Sequence, residues 1–332
     1  MKRLLFYIMS IMAILVISGC HNSHSSSDND RNDTEFGGSE RFEDWMGAIN
    51  DKKSIADITI PGTHDSASYK TTMDFHKYSQ AQIQSIMLQL KFGIRALDLR
   101  VGIDGNMWHG EGTWATNTNV TLDYVLKEML DFLSQHPHET ILATFKQEGP
   151  NMVGNTEFSR YLYKKFEEFD LKNFYLEERE FPKMKDIRGK IVVLRRFELG
   201  SFDKKMGYYV YWSDKTKGSF HSHNDYKFYA QDWYEVTDDD YDTKAHYFKE
   251  AIEHAQNGGE DGRLYLNFMS GEDIPYHFLT TTAQALNNRA ESILNNYKGR
   301  GKAGVIFINF AADRTITPSL IKIILSVNPE VH

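Results

Sequence analysis

Seven short apolar runs that end in polar or charged residues recur between residues 57 and 313: "DITIPGTHDS", "GIRALDLRVG", "ETILATFKQE", "GKIVVLRRFE", "FYAQDWYEV", "RLYLNFMSGE" and "AGVIFINFAAD". Each predicts a strand buried on at least one face. Between them lie stretches with apolar residues at helical spacing: "YKTTMDFHKYSQAQIQSIMLQLKF", "VTLDYVLKEMLDFLSQHP", "NTEFSRYLYKKFEEF", "AHYFKEAIEHAQN" and "LTTTAQALNNRAESILNNYKG". Strands alternating with helices predict a parallel sheet. Seven runs fall one short of eight, so the expected fold is α/β, an irregular or incompletely closed (β/α) barrel of the TIM type. An open doubly wound sheet is the alternative.

The first twenty residues stand apart from this pattern. "MKRLLFYIMSIMAILVISGC" carries Lys2 and Arg3, then an unbroken apolar run, then small residues, which is the layout of a secretory signal. Its "ISGC" end resembles a bacterial lipobox, with cleavage before Cys20 and a lipid on that sulfur; an uncleaved membrane anchor is the alternative. Cys20 is the only cysteine, so no internal disulfide is available. The polar stretch that follows reads as a flexible tether. The expected organisation is a lipoprotein signal over 1–19, a tether over 20–40 and one catalytic domain over 41–332. The product would be an exported lipoprotein held to the cell envelope through Cys20.

The net charge is −8 and falls further once Lys2 and Arg3 leave with the signal. No basic run offsets it, which excludes nucleic acid as a partner held by bulk charge. An anionic ligand must instead be held by a few placed cations.

In a barrel, the polar strand ends converge on one mouth. His64 with Asp65, Asp98 with Arg100, Lys146, Arg195 with Arg196, Asp232 and Asn309 would then share a cleft. His64 ends the first strand and His109 lies in "MWHGEG" after the second. Two such imidazoles can take a proton on one side of a reacting centre and return one on the other. "LDLR" puts Asp98 and Arg100 on one strand face, and a guanidinium fixed by a carboxylate suits phosphate oxygens.

"IPGTHDS", "GIRALDLR" and "WHGE" together closely resemble the bacterial phosphatidylinositol-specific phospholipases C. The likeness continues through "ETILATFKQE", "RGKIVVLRRF", "YAQDWYEV" and "RLYLNFMS", so it spans roughly Ile55 to Phe310. It implies an irregular TIM barrel and cleavage of phosphatidylinositol, or a glycosylated form of it, without metal or other cofactor. His64 would be the general base and His109 the general acid, assisted by Asp65. Arg100, oriented by Asp98, would stabilise the phosphoryl charge where eukaryotic relatives hold calcium. Lys146, Arg196, Asp232 and Tyr234 match positions that bind the headgroup, with Tyr234 stacking on the sugar ring. Arg195 is the alternative to Arg196 for the inward position, and Lys146 could be a plain exposed lysine.

The chain departs from the family where an aspartate on the last strand orients the basic histidine. Asn309 stands there, with Asp313 as a substitute if the loop folds inward. An amide can fix the imidazole tautomer but stabilises imidazolium less. The cluster Tyr208, Tyr209, Tyr211 and Trp212, with the lysines around it, fits either an interfacial rim or a strand. A monomer acting at a membrane surface is expected. Two rival readings remain: a metal-dependent glycerophosphodiester phosphodiesterase-like enzyme using Glu111 and Glu148, and a non-catalytic surface module that binds inositol lipids or glycans.

Overall fold

The computed structural model describes residues 42–331 except 72–75, 213–219, 222–227, 259–261, 275, 312, 314 and 317–318. These residues fall in one unit, Arg41–His332. The leader, Cys20 and the tether lie outside the described residues.

Strands β1 (Ile60–Thr63), β2 (Ala96–Val101), β5 (Ile141–Gln147), β7 (Ile191–Arg195), β10 (Phe228–Gln231), β11 (Leu264–Phe268) and β12 (Val305–Ile308) coincide with the seven apolar runs. They pair in parallel in the order β7-β5-β2-β1-β12-β11-β10. Short strands extend both edges: β6 (Phe174–Tyr175) and β8 (Tyr208–Tyr209) on β7, and β9 (Phe220–His221) on β10. Among the described residues no pairing joins these two edges, so the curled sheet stays open there. A further hairpin, β3 (Asn106–His109) and β4 (Thr116–Thr121), pairs antiparallel beside β2. The sequence pattern did not show it, because "NMWHG" lacks a long apolar run.

The curl requires small residues inside. A Cβ on Gly62 would come within 2.9 Å of both Ala96 Cβ and the Phe307 ring. Phe307 in turn stacks on Phe268 at 4.3 Å between centroids. Four helices follow the expected periodicity, over Leu122–Gln135, Asn155–Glu168, Tyr241–Gly258 and Leu279–Leu294. The first buries Leu122, Val125, Leu126, Met129, Phe132 and Leu133 along one stripe, and the Thr121 hydroxyl accepts from Tyr124 N at its start.

The stretch 69–92 corrects the sequence reading. It does not form one helix but short pieces over His76–Ser79 and Ile86–Lys91. Non-local polar bonds break it. The Ser68 hydroxyl accepts from Ala81 N and Gln82 N. The Gln82 amide donates to the carbonyls of His64 and Ile308, both at 2.9 Å, and accepts from Ala311 N. This segment therefore stitches the ends of β1 and β12 together from outside.

Candidate active site

His64 follows β1 directly, and its backbone N–H continues the ladder to Ile308 O at 3.1 Å. Its ring lies edge-on to Phe268. Nδ1 donates to Asn309 Oδ1 at 2.9 Å, which leaves Nε2 as the acceptor of an Arg100 Nη2 bond at 2.7 Å. Burial and then Arg100 hold the imidazole below its usual pKa, against Asp98, Asp65 and Asp232. His64 is thus kept neutral with its basic nitrogen turned to the guanidinium.

Asp65 adopts φ +44°, a left-handed conformation that aspartate tolerates better than most residues. The turn splays two adjacent side chains toward different partners. Asp65 Oδ2 accepts from His109 Nδ1 at 2.5 Å, while its backbone N–H donates to Asp98 Oδ2 at 3.2 Å. Burial alone would lower the His109 pKa, but the Asp65 carboxylate outweighs it and the net shift is upward. The two imidazoles are therefore pushed in opposite directions. Separated pKa values of this kind are what an acid and a base working together require.

Arg100 is held between two carboxylates. Its Nε and Nη2 donate to Asp98 Oδ2 at 3.3 and 3.2 Å, and its Nη1 donates to Glu148 Oε1 at 3.1 Å. Burial opposes the charge, yet Glu148 and Asp98 raise the arginine pKa above its usual range. Asp98 also accepts from the Thr144 hydroxyl, and it is held well below the carboxylate range by Arg100, His64 and Arg196 despite its burial. Glu148 accepts from Lys146 Nζ at 2.8 Å and from Gly110 N at 2.7 Å. Burial favours its neutral form, but Arg100 and Lys146 bring its pKa down to about 2.

The headgroup candidates lie at the ends of β5, β7 and β10, with Lys146 in register beside Arg100. Alternation along β7 decides between the two arginines. Arg195 turns outward to Gly207 O, Phe197 O and Glu178, whereas Arg196 lies 4.0 Å from Asp98 and 3.9 Å over the Trp212 ring. Trp212 Nε1 donates to Asp232 Oδ2 at 3.0 Å. Lys146 is no isolated surface lysine, since it pairs with Glu148 and, at 3.4 Å, with Glu111. Tyr234 is half-buried two residues beyond Asp232, and its carbonyl accepts from Glu272 N.

The rim expectation is corrected in part. Tyr208 and Trp212 are buried, the latter only 2% exposed, Tyr209 is half-buried, and Tyr211, at 57%, is the exposed member of the cluster. Asp313 does not reach His64; its Oδ1 accepts from Thr315 and Ile316. Asn309 is the residue at His64, and its Nδ2 has no hydrogen-bond partner among the described residues.

The carboxylates of the metal-dependent rival are already engaged. Glu148 neutralises Arg100 and Lys146, and Glu111 faces Lys146. Among the described residues, the group of three or more histidine and acidic side chains with ligand atoms close together is Asp238, Asp273 and His277, which includes neither histidine of the site.

Sequence reading missed the structural roles of Glu148, Gln82 and Trp212. Glu148 alternates with Lys146 on one strand face, a legible signal. Trp212 follows no strand period, and nothing local marked it.

Two half-buried imidazoles with opposite shifts flank a clamped guanidinium on an open parallel barrel, an arrangement suited to acid–base cleavage of a phosphodiester. The description "Phosphatidylinositol-specific phospholipase C, X domain" matches residues 58–197. A 1-phosphatidylinositol phosphodiesterase of Listeria monocytogenes is 30% identical over 289 residues, covering 82% of each chain. One from Staphylococcus aureus is 27% identical, covering 94% of each. The chain belongs to the phosphatidylinositol-specific phospholipase C family. The solved phosphatidylinositol-specific phospholipase C of S. aureus superposes with a TM-score of 0.73 at 22% identity, over 86% of this chain and 97% of that one. That of L. monocytogenes gives 0.70 at 25% identity, over 86% and 98%.

Proposed function

We propose that this chain cleaves phosphatidylinositol to diacylglycerol and inositol 1,2-cyclic phosphate, without a metal ion. The sugar 2-hydroxyl gives its proton to His64 Nε2 as its oxygen forms a bond to phosphorus. The bond from phosphorus to the glycerol oxygen breaks, and His109 Nε2 supplies the proton that oxygen needs. Arg100 turns Nη2 from His64 to a phosphoryl oxygen, so one guanidinium serves both the resting base and the developing charge. Lys146, Arg196, Asp232 and Tyr234 receive the inositol ring.

The observation that carries this reading is the opposed pair: His64 on an amide and a guanidinium, and His109 on a carboxylate. A purely binding module has no use for that opposition. The test is to incubate the protein with phosphatidylinositol in EDTA and identify the phosphorylated product. A cyclic phosphate supports the reading; a linear inositol phosphate as first product, or activity lost to the chelator, contradicts it.

The "ISGC" end of the leader supports a lipid on Cys20 that anchors the enzyme to the cell envelope while residues 20–40 let the barrel reach a membrane. Metabolic labelling with a radioactive fatty acid, lost in Cys20→Ala, tests it.

A further inference from the structure

Lys244 is the one charged residue on the buried face of helix Tyr241–Gly258, among Tyr241, Ala245, Phe248, Ala251, Ile252 and Ala255. A buried ammonium is costly unless its N–H groups are bonded and its charge is offset, so the position calls for a reason. Nζ donates to Gln231 Oε1 at 2.9 Å and to Trp233 O at 2.7 Å. These are the two neighbours of Asp232. Gln231 is itself fixed, donating to Asn267 Oδ1 and Phe268 O, and its Oε1 also accepts from Trp233 N. The lysine thus grips the chain on both sides of one carboxylate. From there the contacts run on through Trp212 and Arg196 to Asp98 and Arg100.

We propose that Lys244 is a positioning residue for the substrate pocket: it fixes Asp232 through Gln231 and Trp233, and its charge keeps that carboxylate ready to accept from sugar hydroxyls. The proposal rests on the reading above that the pocket receives an inositol headgroup.

Burial favours a neutral Asp232, and Arg196 and Lys244 oppose it. Burial also brings Lys244 down to about 7, against the pull of Asp232. The other elements packed around the lysine add no competing charge. β11 presents Asn267, and Thr282 on helix Leu279–Leu294 meets the Tyr241 hydroxyl. Arg289 of that helix pairs with exposed Asp242, while Asp238 and Asp240 are bonded to His277 and Thr237. As pH rises through about 7 the ammonium is lost, Asp232 keeps Arg196 and the Trp212 N–H but not the lysine's charge, and headgroup affinity weakens.

The test uses the full chain with phosphatidylinositol in mixed micelles. Lys244→Met is expected to raise KM roughly tenfold with kcat changed less than about threefold. It should also abolish the rise in wild-type KM through neutral pH. In an Asp232→Asn background the same change should add less than about twofold, because the lysine acts through that carboxylate. Lys244→Gln keeps a neutral donor, so it should recover part of the KM but not the pH step; it carries the test if the methionine variant does not fold. Wild-type KM and pH profile in the folded variants, or an undiminished effect without Asp232, would overturn the proposal. If wild-type protein releases no cyclic inositol phosphate, the substrate reading fails instead, and the two failures are told apart.

Discussion

Asp65 and His109, 44 positions apart, share a 2.5 Å bond between Oδ2 and Nδ1, although Asp65 is the chain neighbour of the other histidine. The left-handed turn at Asp65 makes this possible, sending His64 toward Asn309 and its own side chain toward the hairpin β3–β4. In the proposed mechanism one dipeptide therefore serves both ends of the displacement. Asp65→Asn keeps the size but loses the charge that holds His109 protonated. It should lower kcat by roughly 10³-fold and move the alkaline limb of the pH profile to lower pH. Steady-state kinetics across pH check both.

The opposed shifts fix the sign of the wild-type pH dependence. In the proposed mechanism His64 works only when neutral, and its pKa is lowered from 6.5, so the acid limb should fall below that value. His109, as the proposed acid, works only when protonated, and its pKa is raised from 6.5, so the alkaline limb should fall above it. A plot of kcat/KM should be bell-shaped with its plateau spanning 6.5. A profile that rises monotonically through this range contradicts the assignment.

Asn309 makes a second pH prediction. Asn309→Asp replaces an amide oxygen by a carboxylate at 2.9 Å from Nδ1 and removes the unbonded Nδ2. The negative charge stabilises imidazolium, so the acid limb should move to higher pH. The limb measured in parallel with wild type decides this.

Arg100→Lys removes the fork that reaches Asp98, Glu148 and His64 at once. It should cost about 10²- to 10³-fold in kcat, because an ammonium cannot replace three directed donors. Glu148→Gln should cost less, on the order of tenfold, since Asp98 still holds the guanidinium. Comparison of the two under saturating substrate checks the order.

Gln82→Ala tests the external stitch. It removes bonds to His64 O, Ile308 O and Ala311 N, the last two buried. The expected loss is about 2 kcal/mol, read as a lower thermal midpoint, with kcat reduced as the His64–Asn309 register loosens.

Much of this was legible in the sequence because strand periodicity is local. All seven parallel strands, and the placement of His64, Arg100 and Asp232 at their ends, follow from apolar runs that break into charge. The missed parts depend on contacts distant in the chain. The helical pattern of 69–92 gave way to Gln82 bonding carbonyls of β1 and β12. Trp212 read equally as a rim or a strand residue until the fold set it beneath Arg196. Lys244 stands one residue before the helical stretch read from the sequence, and only the structure shows which carbonyl and amide oxygens it holds.

The central claim is that His64 and His109 act on opposite sides of one phosphorus. The most direct measurement compares His109→Ala and His64→Ala on phosphatidylinositol and on an inositol phosphodiester whose leaving group is nitrophenolate, which needs no proton to depart. His109→Ala should lose about 10²- to 10⁴-fold on the lipid but much less on the activated ester, while His64→Ala stays impaired on both. An equal loss for His109→Ala on the two substrates would contradict the account.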